Sequence, residues 1–158
     1  MAQGTSLFMS MSLLTALTEY CTLVNRSAKN PGIVIPSELD FVPGLGDDLE
    51  SMIWVLTYAM MLRHQADLEG SDKAEYKRYV VDTFYGCLSY SALSRERTFL
   101  MSRGTIPRAP EPERWFPDPA QSKWFRRAMT LVEGQIKSIK PITFDIFDEL
   151  CGDFITNE

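Results

Sequence analysis

Apolar residues recur every three or four positions along most of this chain, a period that predicts helices rather than strands. Residues 8–24 form one such segment and predict a short buried helix. From Asp48 to about Arg63 the apolar residues point in every direction, which is typical of a helix in the middle of a core. Comparable segments predict further helices at 72–88, at 91–101, from Pro119 to before Pro141, and near 144–155.

Residues that favour turns separate these helices. Breaks are predicted at 30–32 and 70–72, and the proline-rich stretch 104–119 predicts a long irregular connection held to the core by Trp115 and Phe116. No shift in composition marks a domain boundary. We therefore expect a mainly α fold over residues 1–158, with five or six helices and long loops around a buried central helix.

Composition limits the class of protein. Of 158 residues 45% are hydrophobic and 23% charged, which is ordinary for a globular domain. A net charge of −5 argues against a dedicated nucleic-acid binder. The three cysteines are far apart, so neither a disulfide framework nor a zinc site is expected and an intracellular location, cytoplasmic or nuclear, fits best. We see no secretory signal, and the longest apolar run, 52–62, is too short to span a membrane.

The most suggestive polar cluster is Gly44-Leu45-Gly46-Asp47-Asp48. Its carboxylates would repel a phosphate, and too few oxygen ligands lie nearby for a metal, so we expect Asp47 to cap a helix. His64 is the one histidine and has no catalytic partner in the sequence. Neither a cofactor nor a metal site is predicted. Arg95, Arg97, Arg103 and Arg108 could form a basic patch, but we expect a solvated helix face. We expect Met9, Met11, Met60 and Met61 to fill the core rather than to line a binding groove.

Two fragments of the chain resemble parts of the fungal-type protein kinase family. GTSLFMSMSLL at Gly4–Leu14 resembles the end of that family's activation segment, where Gly-Thr precedes Phe-Met-Ser-x-Glu-Leu-Leu. DDLESMIWVL at Asp47–Leu56 resembles Asp-Asp-Leu-Glu-Ser-Phe-x-x-Val-Leu, the start of the large central helix of the kinase C-lobe. The order and spacing of the fragments suit the loop that joins them. The resemblance implies a kinase-like C-lobe from the end of the activation segment onward.

The resemblance implies roles for particular residues. Gly4 and Thr5 would lie in the loop that receives the peptide substrate, with Thr5 against the catalytic aspartate. Asp48 would be a buried structural anchor that accepts hydrogen bonds from the backbone of the catalytic loop. The family's glutamate after Phe-Met-Ser-x is replaced by Ser12, so its ion pair with an arginine of a later helix should be missing. One arginine among Arg95, Arg97 and Arg114 would then lack its partner.

Phosphoryl transfer requires a glycine-rich loop, a lysine, magnesium-binding carboxylates and a catalytic aspartate. The sequence contains no Gly-x-Gly-x-x-Gly, Val-Ala-Ile-Lys, His-Arg-Asp or Asp-Phe-Gly. We therefore expect a fragment of a serine/threonine kinase domain that binds no ATP and is inactive, whether by truncation or as a degenerate paralogue (a pseudokinase). The alternatives are a non-catalytic protein-interaction module, using exposed apolar surface around Met9, Trp54 and the central helix, and an unrelated helical protein.

Overall fold

The computed structural model describes residues 9–36, 41–84, 89–101, 116–137 and 139–155. Within these ranges every regular element is a helix, which confirms the predicted mainly α fold. The helices are α1 (Met11–Lys29), α2 (Leu45–Asp67), α3 (Gly70–Phe84), α4 (Tyr90–Met101), α5 (Pro119–Ile136) and α6 (Phe144–Ile155).

Side-chain caps begin several of these helices, and α1 and α5 are two examples. At the start of α1, Ser10 Oγ accepts a hydrogen bond from the Leu13 N–H at 3.2 Å. At the start of α5, Asp118 Oδ1 accepts from the backbone of Ala120 at 2.7 Å, and Pro119 occupies the first turn. Both caps satisfy N–H groups that have no partner inside the helix. The predicted start of α5 at Asp118-Pro119 is therefore confirmed.

Helix α2 begins one turn earlier than the sequence pattern predicted. Gly44 is its N-cap, and the Gly44 N–H donates to Asp47 Oδ2 at 2.9 Å. Asp47 thus caps the helix by reaching back from the third helical position, as the carboxylate of a capping box does. The predicted capping role of Asp47 is confirmed, at a different position in the helix.

The helices pack in a chain of contacts around α2. Helix α2 contacts α1, α3 and α5, α4 contacts α1, α3 and α5, and α6 lies on α5. Their shared core contains Ile53 and Trp54 of α2, Leu14 of α1, and Met129 and Val132 of α5. Phe116 is buried against the same core, as predicted, whereas Trp115 lies outside the described residues.

Two expectations about burial are wrong. Helix α2 is not buried all round: one face is in the core, while Met52 is 50% exposed and Val55 41% exposed on the other. Helix α1 extends to Lys29, and within it only Met11 and Leu14 are buried. The core is therefore smaller than the hydropathy suggests, because α1, α3 and α5 cover only one side of α2. Within the described residues, no helix is long and apolar enough to cross a membrane.

Gly46 is required by a close approach between α2 and α5. A Cβ on Gly46 would press on the side-chain amide of Gln135, 3.2 Å from its Cδ, and that side chain is held by hydrogen bonds on both sides. We expect Gly46→Ala to lower the free energy of unfolding by about 1–3 kcal/mol, because those bonds must break or shift.

The matched control for this prediction is Gly32→Ala, where a Cβ would meet no atom within 4 Å. Urea denaturation of both variants measures the effect. Equal stabilities of the two variants would contradict the close contact at Gly46.

Candidate functional site

The backbone segment Met9–Met11 is held between an acid and a base from different helices. The Met11 N–H donates to Glu50 Oε1 of α2 at 2.7 Å. On the other side, Arg97 Nη1 of α4 donates to the carbonyl oxygen of Met9. Glu50 and Arg97 are both 0% exposed, so these are hydrogen bonds between charged side chains and backbone inside the core. Such bonds are stronger than neutral ones.

Trp54 connects the acid to the base. Its Nε1 donates to Glu50 Oε1 at 3.0 Å, while the Arg97 guanidinium lies over its ring with Cζ 4.5 Å from the centroid. This distance is that of a cation–π contact. The ring of Phe84 meets Trp54 edge-on, with centroids 6.4 Å apart. The indole therefore fixes the position of both charges.

Gln135 of α5 completes the arrangement, which we call the Glu50 cluster (Glu50, Trp54, Arg97 and Gln135). Gln135 Nε2 donates to Glu50 Oε2 at 3.1 Å and to the Gly46 carbonyl at 3.0 Å. Its Oε1 accepts from the Ile142 N–H at 3.0 Å. The cluster therefore links α2 to α1, α4, α5 and the segment before α6.

Burial raises the pKa of Glu50 above its ordinary value of 4.5, and the nearby charge of Asp47 raises it further. The hydrogen bonds from Trp54 and Met11 and the charge of Arg97 lower the pKa and oppose this effect only in part. A raised carboxyl pKa is common at catalytic sites. Here, however, both carboxylate oxygens accept hydrogen bonds from the protein and neither is open to a substrate. The geometry therefore indicates a structural role for Glu50.

The residues to which the resemblance gave functions are not part of this cluster. Gly4 and Thr5 lie outside the described residues. Asp48 is exposed on the first turn of α2, so the expectation that its side chain is buried is wrong, while its role as an anchor for another loop stays a prediction. The reason is the helical period: Asp48 and Glu50 are two positions apart and point to opposite sides of α2. The buried acid of the helix is Glu50.

The structure describes two of the three arginines that the resemblance offered as partners of the family's glutamate, Arg95 and Arg97. Arg97 is buried and bound to Met9 and Trp54, so the expected unpartnered arginine is not found there. Arg95 is 77% exposed in its side chain and contacts Glu96, as expected of a solvated residue. Arg103, Arg108 and Arg114 lie outside the described residues. The expectation of a solvated face is wrong for Arg97.

Sequence reasoning missed Glu50 and Arg97, although their spacing gives a signal. Glu50 lies on the stripe of α2 that also carries Ile53 and Trp54, and Arg97 lies one turn from both Leu93 and Met101. A charged residue within an apolar stripe is at a core position by periodicity. Since buried charges require partners, each could have been singled out as one half of a pair.

The remaining chemistry-bearing side chains of the described residues do not form a catalytic arrangement. His64 meets the ring of Tyr76 edge-on, with centroids 4.9 Å apart. Among the described residues no group of histidines, cysteines and carboxylates is arranged to hold a metal ion. An open groove of about 460 Å³ runs beside α5 and is lined in part by Lys123, Arg126 and Arg127. The groove is cationic, and Arg127 also binds Glu149 at 2.6 Å.

Comparison of the chain with protein-family models, with curated proteins and with solved structures finds no match. The function of the chain is therefore inferred from its own residues and from the resemblance of its two fragments.

The raised pKa of Glu50 predicts how stability varies with pH. The unfolded chain loses the proton near pH 4.5, whereas the folded protein holds it to a higher pH. Between these values the folded state binds more protons, so the free energy of unfolding falls as the pH rises. We expect this fall in the wild type and not in Glu50→Gln, as measured by urea denaturation between pH 4.5 and 8.

The matched control for Glu50 is Asp67→Asn, which removes an exposed carboxylate at the end of the same helix. Its pH profile should follow that of the wild type. A constant difference between the wild type and Glu50→Gln across the pH range would show that burial does not raise the pKa of Glu50.

Arg97→Met tests the other half of the cluster. The variant leaves Glu50 without its neighbouring cation and the Met9 carbonyl without its donor. We expect a loss of about 3–5 kcal/mol in the free energy of unfolding, as for other broken buried charge pairs. The control Arg95→Met removes an exposed arginine two positions away and should change stability by less than about 0.5 kcal/mol. Similar losses in both variants, by chemical denaturation, would rule out a special role for Arg97.

Proposed function

We propose that this chain is a C-lobe fragment of a fungal-type serine/threonine protein kinase domain, without the ATP-binding lobe and the catalytic loop, and that it does not transfer phosphate. The observation that carries the proposal is the contact between the two fragments that resemble the family. Met11 belongs to the first fragment and Glu50 to the second, and they are joined by a buried hydrogen bond of 2.7 Å across 39 residues. This bond places the two fragments side by side, as neighbouring segments of one C-lobe would be.

The position of Arg97 also supports the proposal. In the family that the chain resembles, an arginine of a later helix holds the end of the activation segment through a glutamate. Here Ser12 replaces that glutamate, yet Arg97 of a later helix still binds the same segment, at the carbonyl oxygen of Met9. The segment is thus also held by an arginine of a later helix, through a different bond.

We infer the inactivity from the groups that phosphoryl transfer requires. Catalysis requires cations on the phosphates, carboxylates that bind magnesium and an aspartate that orients the hydroxyl. Glu50, the buried acid of the site, is already occupied by three hydrogen-bond donors. Asp47 is engaged as the cap of α2. The described residues therefore offer no set of groups that this reaction could use.

A second candidate function is a protein-interaction domain. The observation that favours it is the side of α2 opposite the core, which we call the outer face of α2. Its members lie on one side of the helix and are exposed: Leu45, Asp48, Met52, Val55, Leu56, Ala59, Leu62, Arg63 and Ala66. A contiguous apolar stripe on a folded domain commonly marks a contact surface. The apolar surface expected around Trp54 is absent, because Trp54 is buried, and Met9 is partly buried.

The kinase proposal predicts that magnesium and ATP have no effect on the protein. We expect the thermal unfolding midpoint to be unchanged by millimolar MgATP, because a ligand that does not bind cannot stabilise the folded state. Incubation with a serine- and threonine-containing peptide should give no phosphorylated product. An active protein kinase assayed in parallel is the control for the assay.

A saturable rise of the unfolding midpoint with MgATP would contradict the inactive assignment. The kinship itself is tested by the gene: in-frame codons for His-Arg-Asp and then Asp-Phe-Gly upstream of Met1 would support it. An upstream reading frame that encodes an unrelated domain would refute it.

A further inference from the structure

The outer face of α2 is self-complementary in the antiparallel direction: residues at equal distances on either side of its midpoint would match each other across a pair of helices. Its midpoint lies between Val55 and Leu56. Met52 is three residues before Val55 and Ala59 is three residues after Leu56. Leu45 is ten residues before Val55 and Ala66 is ten residues after Leu56. In the same way Asp48 lies seven residues before Val55 and Arg63 seven residues after Leu56. Two copies of α2 that cross in opposite directions at this midpoint would therefore place small and large apolar residues against each other, and an acid against a base.

The charges decide the direction of such a pairing. Asp48 and Arg63 are exposed, and neither forms an ion pair with another described residue. An antiparallel pairing brings each Asp48 next to the Arg63 of the other copy. A parallel pairing would instead set Asp48 against Asp48 and Arg63 against Arg63, and like charges repel. The arrangement of charge thus selects an antiparallel second copy as the occupant of this face.

The length of the stripe suits a helix-to-helix contact. From Leu45 to Ala66 the helix rises about 32 Å, at about 1.5 Å per residue. Apolar residues at spacings of three and four along this length form a seam of the kind that packs against a second helix. Met52 at 50% and Val55 at 41% exposure lie near its centre, where a partner would bury them.

We propose that two copies of this protein associate through the outer faces of their α2 helices, antiparallel and related by a two-fold axis near Val55 and Leu56, with Asp48 of each copy paired to Arg63 of the other. A two-fold contact of this kind is closed, so association stops at the dimer. Because one helix face per copy is a small contact, we expect a dissociation constant on the order of micromolar. The inference rests on the second candidate function, in which this face binds protein.

Sedimentation velocity of the full chain over about 1–200 µM tests the dimer, a range that brackets the expected micromolar dissociation constant. The wild type should shift from monomer to dimer as the concentration rises. Arg63→Glu sets like charges together at both ends of the contact and should weaken the dimer at least about tenfold. Lys73→Glu makes the same charge change at an exposed position on α3, which is not among the residues of this face, and should leave the dimer unchanged.

A charge exchange tests the pairing itself. Asp48→Arg should weaken the dimer as Arg63→Glu does, and the double variant Asp48→Arg with Arg63→Glu should restore it, since each copy then carries the reversed pair. Circular dichroism checks that every variant keeps its helices. A monomeric wild type overturns the inference. So does a double variant that stays as weak as the single ones.

A second measurement separates failure of the dimer from failure of the underlying function. The wild type and Met52→Glu are each passed over a sizing column after mixing with a cell extract. In one outcome the wild type is monomeric alone and co-migrates with a protein from the extract, whereas Met52→Glu does not. The proposed dimer is then wrong, and protein binding by this face stands. If the wild type is monomeric and the substitution changes nothing, both proposals fail.

Discussion

The buried carboxylate of Glu50 is the constraint on which the arrangement of these helices depends. Glu50 loses its hydration on folding, which costs several kcal/mol for an ion unless protein groups replace the water. The replacements come from four places: the Met11 backbone, the Trp54 indole, the Gln135 amide and the charge of Arg97. Because these groups belong to α1, α2, α4 and α5, a rearrangement of any one helix would leave a buried charge unsatisfied. The cluster therefore selects one packing among the many that apolar contacts alone would allow.

The helices themselves could be predicted well from sequence, because local rules decide them. Proline at the first turn of α5, the aspartate before it and the glycine that begins α3 act within a few residues. Gly70 has a φ of +58°, a left-handed conformation that glycine adopts without strain. What the pattern could not supply is which face of an apolar helix becomes covered. Helix α2 is apolar all round, and only the positions of α1, α3 and α5 decide that Ile53 is buried and Met52 is not.

The candidate site was harder to predict, because it depends on pairs that are distant in the chain. Periodicity alone indicates that Glu50 and Arg97 occupy core positions, since each shares a stripe with buried apolar residues. Nothing local indicates that Arg97 reaches the carbonyl of Met9, 88 residues away. Treating arginines as surface residues was sound for Arg95 and wrong for Arg97, and the difference between them is two positions on one helix.

Asp48 links the two proposals for this protein. On α2 it lies on the same outer face as Met52 and Val55, so a catalytic loop anchored on Asp48, as the kinase resemblance implies, would also cover those apolar residues. A second copy of α2 would cover them too and would give the carboxylate an arginine instead of backbone N–H groups. Both partners would supply what the described residues do not: a donor for the Asp48 carboxylate and a cover for the apolar stripe beside it. A catalytic loop and a second copy of α2 could therefore not bind this surface at the same time. Self-association through α2 requires that no such loop covers it.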